Sequence, residues 1–317
     1  MKVKNFLTLL VIVIVAVGFS LPTVAAEKQI RLGMVNFSLC CPYFIGMSKA
    51  VEEEAAVYPN IKVFITDANG DAAKLTSDVE DVLARNVDGI ILSGAWLEAA
   101  PAALDAIKKA GVPVVMVDRF LKGGPYTSWV GPDNYTIGVQ DGQYITDRLN
   151  GKGVLVVLRG GPADNSIGLD RTNGMLSVVE KSGIEVHKAP NFGGWSSDGG
   201  FKLMEDMLAR YQKIDAVFCE NDSMCLGAQK AIADAGRSKA IFLVGVDGEK
   251  AALENIMKPG SNYAATGLNN SDQIGRAAFN RMMAILAGAK APEKTVLPSP
   301  IITKENVDKY YNPNSVF

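Results

Sequence analysis

The chain has 317 residues, of which 48% are hydrophobic and 21% are charged, and its formal net charge is −2 at pH 7. This length suits about two domains, and the apolar fraction is large enough for well-packed cores. The nearly balanced charge and the lack of a basic stretch argue against a nucleic acid partner, because binding to phosphates requires clustered Lys and Arg.

The first 26 residues have the three parts of a secretory signal. Lys2 and Lys4 form a basic start, residues 6–19 are almost wholly apolar, and small residues occupy 24–26. We expect cleavage after Ala26 and export of the mature chain. The alternative is an uncleaved membrane anchor, for which the apolar run is short. Cleavage removes two lysines, which leaves 30 basic and 34 acidic residues and a net charge of −4.

Strand and helix patterns alternate through the first half of the chain. Short runs rich in Val and Ile indicate buried parallel strands, and longer segments with helical spacing indicate helices between them. Asp71 is a candidate helix cap, and Gly111 is expected to end a helix. The predicted strands are 30–35, 61–66, 89–93 and 112–117, and the predicted helices are 43–58, 72–85 and 99–110.

The pattern changes at 129–134, where a short strand leads into a Gly-Pro turn, and then the alternation restarts. The predicted strands are 154–158, 184–189, 216–219, 241–246 and 263–268, the helices are 135–149, 171–181, 199–210, 224–235, 251–257 and 271–287, and a turn-rich end follows around 298–300. Two sets of βαβ units predict an α/β protein with two similar lobes, each a mainly parallel sheet between helices. The last long helix is expected to fold back on the first lobe.

Several of the predicted strands end abruptly on polar residues. Asp118-Arg119, Asn221, Asp247 and Asn269 each follow or end a short apolar run. Ligands of open α/β sheets bind just beyond the carboxyl ends of the strands. The sequence therefore predicts a binding cleft for a polar ligand at these strand ends.

Four cysteines remain after cleavage: Cys40, Cys41, Cys219 and Cys225. An exported chain can form disulfides, and a Cys219–Cys225 bridge is compatible with the predicted elements, whereas a bridge between adjacent Cys40 and Cys41 would be strained. The spacing lacks paired CxxC motifs, so no metal site is expected. The alternative is that most of these cysteines are small buried hydrophobes.

Motifs along the whole mature chain carry a family resemblance. In order, they are Cys41-Pro42-Tyr43-Phe44, Asp118-Arg119, Asp133-Asn134, Arg171 with Gly174, Trp195, VFCENDSMCLGAQKAI at 217–232, VGVDG at 244–248 and SDQIG at 271–275. Together they resemble the periplasmic sugar-binding proteins of the ribose-binding type, the receptors of ABC importers. Each motif alone is weak, and their order is what makes the resemblance specific.

This resemblance implies two lobes joined by a three-segment hinge near Pro132-Asp133, Asn269-Asn270 and Leu297-Pro298. It divides the chain into a signal peptide (1–26), an N-terminal lobe (27–132 plus 270–297) and a C-terminal lobe (133–269 plus 298–317). It further implies a periplasmic, non-enzymatic monomer without a cofactor. Such a receptor would bind a sugar or polyol, close about the hinge and dock on an ABC permease in the inner membrane.

The resemblance also implies which residues contact the ligand. A sugar presents hydroxyls at its rim and C–H groups on its faces, so it requires carboxylates, forked donors, amides and aromatic rings. Asp118 and Asp247 would accept protons, Arg119 and Arg171 would donate, and Tyr43, Phe44 and Trp195 would stack. The full set of expected ligand contacts is Cys41, Tyr43, Phe44, Asp118, Arg119, Asn134, Arg171, Trp195, Asn221, Asp247 and Asn269.

Two positions depart from the family pattern. Cys41 stands where the family usually has Asn, and Phe37 stands where a small polar residue is common. Both changes make the first-lobe wall more apolar, and we expect them to alter which ligand binds, for example in favour of a deoxysugar or a polyol.

The same residues also have purely structural explanations. Asp118-Arg119 could be an ion pair, Asp247 a turn-former, Arg171 a surface pair and Trp195 a loop anchor. Tyr43 and Phe44 could belong to the core, and Trp96 is a further cleft candidate.

Two other function classes compete with the receptor. A glycosidase would need an acid–base pair drawn from Asp118, Asp247 and Glu220, but no catalytic motif accompanies them. A ligand sensor would feed a chemoreceptor or a histidine kinase, and its core would look the same. A DNA-binding regulator would need a helix pair at the N-terminus, where this chain has the signal segment.

Overall fold

The computed structural model describes residues 28–93, 100–120, 124, 126–161 and 166–317. The expected signal peptide, its cleavage after Ala26 and the cleft candidate Trp96 lie outside the described residues.

Strands and helices alternate along most of the described chain. The strands are β1 Ile30–Asn36, β2 Ile61–Asp67, β3 Gly89–Ser93, β4 Val114–Val117, β5 Ser128–Gly131, β6 Lys152–Arg159, β7 Gly183–Phe192, β8 Ala216–Cys219, β9 Phe242–Asp247, β10 Tyr263–Leu268, β11 Lys294–Val296 and β12 Ile301–Thr303. The helices are α1 Pro42–Ala56, α2 Ala72–Ala84, α3 Pro101–Ala110, α4 Asn134–Arg148, α5 Ser166–Val179, α6 Ser197–Arg210, α7 Asp222–Asp234, α8 Lys250–Met257 and α9 Ser271–Leu286. A short 3₁₀ turn covers Val307–Lys309.

These strands form two six-stranded sheets. The first has the order β11-β5-β4-β3-β1-β2 and is parallel throughout, and the second has the order β12-β10-β9-β8-β6-β7 with only β12 antiparallel. Helices α1–α3 and α9 pack on the first sheet, and helices α4–α8 pack on the second. We call these two units the first lobe and the second lobe. The predicted two-lobed α/β fold is confirmed.

Local sequence signals explain several element boundaries. The Asp71 carboxylate accepts a hydrogen bond from the backbone N–H of Lys74 and caps α2, as predicted. Helix α3 begins at Pro101 and ends before Gly111, which adopts a φ of 66° that suits glycine. Asn221 and Asn270 cap α7 and α9 in the same way as Asp71 caps α2.

The chain passes from one sheet to the other at three places: between β5 and α4, between β10 and α9, and between β11 and β12. The Gln140 amide on α4 holds the third passage, because it donates to the Ser299 carbonyl and accepts from the Ile301 N–H. Helix α9 packs against α1, which confirms that the last long helix returns to the first lobe. The residue boundaries of the two lobes stay predictions.

Helix α5 begins at Ser166, five residues before the predicted start, so Arg171 lies inside a helix and not at its first turn. Gly168 obscured the start of this helix in the sequence, because glycine is a weak helix former. Further glycines lie where α4 and α5 contact each other. Their use is close packing: a Cβ at Gly174 would lie 2.1 Å from the Tyr135 carbonyl, and one at Gly138 would lie 2.0 Å from the Arg171 carbonyl.

The C-terminal segment differs from its predicted turn-rich form. It contains β11 and β12, whose three-residue length leaves almost no periodic pattern to detect. Its last residues reach the first lobe: the Ser315 hydroxyl donates to Asp272, and the Phe317 ring packs against Tyr43. The predicted division had placed all of 298–317 in the second lobe.

The cysteines fall into two pairs. Cys219 and Cys225 are buried and joined by a disulfide between the end of β8 and α7, whereas Cys40 is exposed and Cys41 is half-buried. The bridge is the one that the predicted elements allowed, and the alternative that most of the cysteines are plain buried hydrophobes is wrong. Over the described ranges, the structure contains no helix both long and apolar enough to span a membrane.

Candidate functional site

A cavity of about 560 Å³ lies between the two lobes. This volume is within the range of about 300 to 1,000 Å³ that is typical of small-molecule sites. Ten of the eleven predicted site residues line it: Cys41, Tyr43, Phe44, Asp118, Arg119, Arg171, Trp195, Asn221, Asp247 and Asn269. The cavity thus combines strand ends from both lobes, as the polar strand endings predicted.

The polar residues reach the cavity from the carboxyl ends of the strands. Asp118 follows β4, Asn221 follows β8, Asp247 ends β9 and Asn269 follows β10. Asp118, Asp247 and Trp195 have positive φ angles of 64°, 125° and 60°, which non-glycine residues rarely adopt. Strained backbone of this kind persists where the surrounding structure enforces it, and it is concentrated at functional sites.

Hydrogen bonds connect the side chains of the two lobes around the cavity. The Tyr43 hydroxyl lies 2.7 Å from Asp118 Oδ1 and 3.1 Å from Asn269 Oδ1, and its single proton can be donated to only one of them at a time. Asn269 Nδ2 donates to Asp247 Oδ1 at 3.1 Å. This chain of contacts holds both carboxylates in place from the protein side.

The Arg171 guanidinium is buried, and each of its three nitrogens has a protein partner. It pairs with Asp247 Oδ1 at 2.9 Å, donates to Asn134 Oδ1 at 2.8 Å, and donates to the Glu220 carbonyl at 2.6 Å. Asn134 is the predicted site residue that does not line the cavity. Instead, Asn134 orients the Arg171 side chain from behind.

Burial controls the ionisation of these groups. Loss of water raises the pKa of Asp247 to about 7, although Arg171 and Asn269 oppose this rise. Burial also raises the pKa of Asp118, against the hydrogen bond from Tyr43 and the charges of Arg171 and Arg119. Burial lowers the pKa of Arg171, but Asp247, Tyr43 and Asp118 more than offset this and raise it overall, so Arg171 stays charged.

Aromatic rings form the apolar surfaces of the cavity. Tyr43 and Phe44 meet edge to face with ring centroids 5.2 Å apart at the start of α1. The Trp195 ring lies so close to Gly160 that a Cβ there would approach it to 2.4 Å. Trp195 therefore lines the cavity and also packs against the second lobe, so its roles as ligand surface and loop anchor coexist.

Glu220 does not line the cavity, although it was one of three carboxylates considered for an acid–base pair. Its Oε2 accepts from the Gly160 N–H at 2.6 Å, and its Oε1 accepts from the Thr172 hydroxyl at 2.6 Å. Both oxygens are thus used to hold the second lobe together. A pair formed by Glu220 and a cavity carboxylate has no support in this geometry.

The cavity also contains residues outside the predicted set. They are Phe37, Ser38, Cys40, Gly70, Ile167, Gly194, Ser196, Ser197 and Ser223. Five of them, Cys40, Gly194, Ser196, Ser197 and Ser223, lie within two residues of a predicted one, so inspection of the flanking loops could have found these five. Ile167 had no such signal, because it lies on the first turn of α5, which begins earlier than predicted. Among the described residues, no group of three or more His, Cys, Asp or Glu side chains could hold a metal ion.

Comparison with known proteins places the chain in a family. The sequence model of the periplasmic binding protein domain matches residues 32–290. The ribose import binding protein of Bacillus subtilis (strain 168) is 31% identical over 280 residues, covering 88% of this chain and 89% of that protein. The xylitol-binding protein of Mycolicibacterium smegmatis (strain ATCC 700084 / mc(2)155) is 29% identical over 287 residues, covering 90% and 80%.

Solved structures agree with this assignment. An ABC transporter solute-binding protein from Mycobacterium smegmatis with bound glycerol superposes with a TM-score of 0.84 at 26% identity, covering 91% of this chain and 99% of that one. The fructose-binding periplasmic domain of a hybrid two-component system superposes with a TM-score of 0.79 at 29% identity, covering 89% and 94%. The chain belongs to the periplasmic binding protein family, as a member of the sugar-binding proteins of the ribose-binding type.

Proposed function

We propose that this protein is the solute-binding receptor of an ABC importer and that it binds a monosaccharide or a related polyol. The observation that carries this proposal is the cavity between the lobes, with two carboxylates, two guanidinium groups and four aromatic rings around one space. Relatives named for ribose and xylitol bind ligands of this chemistry. Relatives named as an import binding protein and as an ABC transporter solute-binding protein support a non-enzymatic receptor that works with an ABC permease in the periplasm.

Each ligand contact follows from the donors and acceptors around the cavity. The Asp118 and Asp247 carboxylates can accept hydrogen bonds from neighbouring ligand hydroxyls, and the Arg119 and Arg171 guanidinium groups supply the matching donors. Asn221 has a more limited role, because its amide already donates to the Trp195 carbonyl and caps α7. Tyr43, Phe44 and Trp195 offer flat apolar surfaces for the C–H faces of the ligand.

The apolar part of the first-lobe wall indicates which sugars or polyols should bind best. Phe37, Cys41 and Phe44 contribute rings and a thiol there, and none of them provides a strong hydrogen-bond partner. A ligand hydroxyl directed at these three side chains would lose water without compensation. We therefore expect a polyol or deoxysugar to bind more tightly than a fully hydroxylated aldose of the same length.

Closure of the lobes completes the site. Hinge closure around a ligand is the established motion of periplasmic binding proteins, and three chain passages connect the lobes here. The closed form would present edges of both lobes to the permease as one surface. Processing of the signal segment after Ala26 would release this receptor into the periplasm as a monomer.

Native mass spectrometry of protein exported and purified without refolding tests the ligand class. We expect a bound species whose mass matches a pentose, hexose or polyol and which is lost when the protein is unfolded and refolded. Refolded protein should then gain thermal stability with members of a panel of such compounds. An empty cavity in exported protein, together with no stabilisation by any panel member, contradicts the proposal.

A second candidate is a sensor that reports the same ligand to a histidine kinase. The structural similarity to the fructose-binding domain of a hybrid two-component system supports it. Capture of a kinase or chemoreceptor ectodomain by the ligand-bound protein, but not by the ligand-free protein, would favour this role. Capture of a permease alone favours import.

A further inference from the structure

The adjacent cysteines Cys40 and Cys41 both line the cavity, and neither is assigned a strong hydrogen bond to the ligand. Their Sγ atoms lie 3.4 Å apart. Cys40 is exposed and Cys41 is half-buried, so the pair joins the cavity wall to the solvent. A small reagent can therefore reach these sulfurs, whereas the Cys219–Cys225 bridge is buried in the second lobe.

The loop before the pair is fixed by hydrogen bonds to the end of β2. The Leu39 N–H donates to Asp67 Oδ1 at 3.1 Å, and the Gly70 N–H donates to the Phe37 carbonyl at 2.8 Å. On the other side, Cys41 is the extended residue that precedes Pro42 and α1. Because both flanks are held, the two sulfurs stay close together, and a disulfide needs them to approach by only about 1.4 Å, to about 2.05 Å.

The pKa values of the two thiols also favour reaction with a disulfide. The hydrogen bond between the two sulfurs is the largest influence on Cys40 and lowers the pKa of Cys40 to about 6, while burial acts in the opposite direction. The hydrogen bond with Cys40 raises the pKa of Cys41 well above its ordinary value, and burial adds to the rise. Near neutral pH one thiolate thus lies beside one thiol, and the thiolate is the form that attacks disulfides.

We propose that Cys40 and Cys41 form a reversible redox site in the cavity wall, which closes to a disulfide between adjacent residues and thereby strengthens ligand binding. The oxidant is a disulfide, either that of a thiol–disulfide oxidoreductase or a small-molecule disulfide. The Cys40 thiolate attacks it, forms a mixed disulfide and releases one thiol. Cys41 then loses its proton and attacks the Cys40 sulfur, which releases the second thiol. Two protein thiols become one disulfide, and the oxidant is reduced to two thiols.

Ligand binding should respond because oxidation changes the wall in two ways. It removes the thiolate charge from a cavity that already contains Asp118 and Asp247, and it replaces the hydrogen bond between the two sulfurs with a covalent bond that fixes both side chains. An uncharged, preorganised surface costs less to desolvate and order on binding. This part of the inference rests on the proposed function, whereas formation of the disulfide does not.

Adjacency makes this bridge easier to reduce than the other one. Neighbouring Cα atoms are about 3.8 Å apart, below the range of about 4.4 to 6.8 Å found for ordinary disulfides, so the ring is strained. Strained and exposed disulfides have higher reduction potentials. The Cys40–Cys41 bond should therefore open at milder reducing conditions than Cys219–Cys225.

Trypsin places the two pairs in separate peptides, because cleavage after Arg31 and Lys49 yields 32–49 and cleavage after Lys213 and Lys230 yields 214–230. Exported protein is equilibrated in buffers that contain different ratios of oxidised to reduced glutathione, and it is then alkylated under denaturing conditions. After tryptic digestion, the peptide masses are measured by mass spectrometry. In oxidising buffer, we expect peptide 32–49 to carry no alkyl group and to have a mass two hydrogens below that of its dithiol form. As the buffer becomes more reducing, this peptide should gain two alkyl groups before peptide 214–230 does. Two free thiols or stable glutathione adducts on 32–49 in oxidising buffer overturn the proposal.

The effect on binding is measured by calorimetry with whichever panel compound stabilises the protein, at ratios where only the Cys40–Cys41 pair changes state. We expect the oxidised wild type to bind at least about threefold more tightly than the reduced form, and the Cys40→Ala/Cys41→Ala variant to show no redox dependence. Equal affinities of the two wild-type forms overturn the link to binding. If no compound binds at all, the proposed function fails while the peptide masses still decide the redox site.

Discussion

The pKa of Asp247 gives a residue-scale test of the site. A ligand hydroxyl that donates to this carboxylate favours its charged form, so the pKa of Asp247 in the complex falls below the value of about 7 in the free protein. Binding then releases a proton below pH 7, and affinity should rise with pH up to about 7, by as much as about tenfold per pH unit, and level off above it.

Calorimetry between about pH 5.5 and about pH 8 checks this profile, in a range where the raised pKa of Asp247 makes the group change charge. The Cys40→Ala/Cys41→Ala protein is used, because the Cys40 thiol of the cavity has a pKa of about 6 and would titrate in the same range. The addition of Asp247→Asn, which cannot titrate, should weaken binding and flatten the profile. An affinity that falls with rising pH in the protein that keeps Asp247 would contradict a role for Asp247 as a hydrogen-bond acceptor.

Asn134 is a positioning residue according to the structure, because it contacts Arg171 and not the cavity. The Asn134→Ala change leaves a buried guanidinium N–H without its acceptor, at a cost of about 1 to 3 kcal/mol. We expect ligand affinity to fall about tenfold as Arg171 loses its orientation. The matched control is Asn280→Ala at an exposed site on α9, and equal affinities of the two variants would mean that Asn134 does not act through Arg171.

Asp141 on α4 has an effect on stability rather than binding. Both of its carboxylate oxygens are buried and have no hydrogen-bond partner among the described residues. Burial, and then the charge of Asp222, raise the pKa of Asp141 well above its ordinary value. The folded state thus keeps a proton that the unfolded state loses above about pH 4, so this group lowers stability as pH rises, by up to about 1.4 kcal/mol per pH unit.

The Asp141→Asn change removes this titration. We expect the free energy of unfolding of the Asp141→Asn variant, taken relative to that of wild type, to increase steadily as pH rises from about 4 to about 7. Urea denaturation at several pH values measures it, with the exposed Asp105→Asn on α3 as the control. A constant difference between the Asp141 variant and wild type across this range would mean that Asp141 is ionised in the folded protein.

At the scale of elements, the C-terminal segment supports the site from the first lobe. Lys250 on α8 donates to the Pro313 and Ser315 carbonyls, and Ser315 donates to Asp272 on the first lobe. The buried Phe317 ring then contacts Tyr43, with centroids 5.4 Å apart. The segment therefore links both lobes behind a cavity residue.

The Phe317→Ala change removes an aromatic contact worth about 0.5 to 1.5 kcal/mol, so we expect ligand affinity to fall about two- to tenfold. The neighbouring Val316 is exposed, and Val316→Ala should bind like wild type. If both variants bind like wild type, the segment does not support Tyr43.

Sequence patterns predicted the elements well where burial repeats regularly. Parallel strands are buried on both faces, so β3, β8 and β10 appear as short apolar runs with the observed ends. The polar residues just beyond such runs, including Asp118 and Asp247, were therefore visible as a site.

Contacts between distant elements were not visible in the same way. The bond between Asn134 and Arg171 depends on how closely α4 and α5 pack, which their glycines determine in three dimensions. Phe317 lies in a segment without periodicity, so its contact with Tyr43 left no pattern in the sequence. The family resemblance supplied the order of the site residues but not these supports.

At the scale of the whole molecule, neither lobe has a complete site. Tyr43, Phe44 and Asp118 belong to the first lobe, whereas Arg171 and Asp247 belong to the second. A ligand that contacts both sets stabilises the arrangement in which they meet, by an amount equal to its differential affinity for that arrangement. Ligand binding and lobe closure are therefore thermodynamically coupled.

Calorimetric titration of the Asp118→Asn variant with sugars and polyols tests the central claim most directly. Loss of a charged acceptor costs about 1.5 to 3 kcal/mol, so the variant should bind about 10- to 100-fold more weakly than wild type, while the exposed Asp105→Asn control binds like wild type. Wild-type protein freed of co-purified ligand should bind at least one panel member with one ligand per chain. No binding by wild type, or equal affinity in the Asp118 variant, would contradict a sugar or polyol site in this cavity.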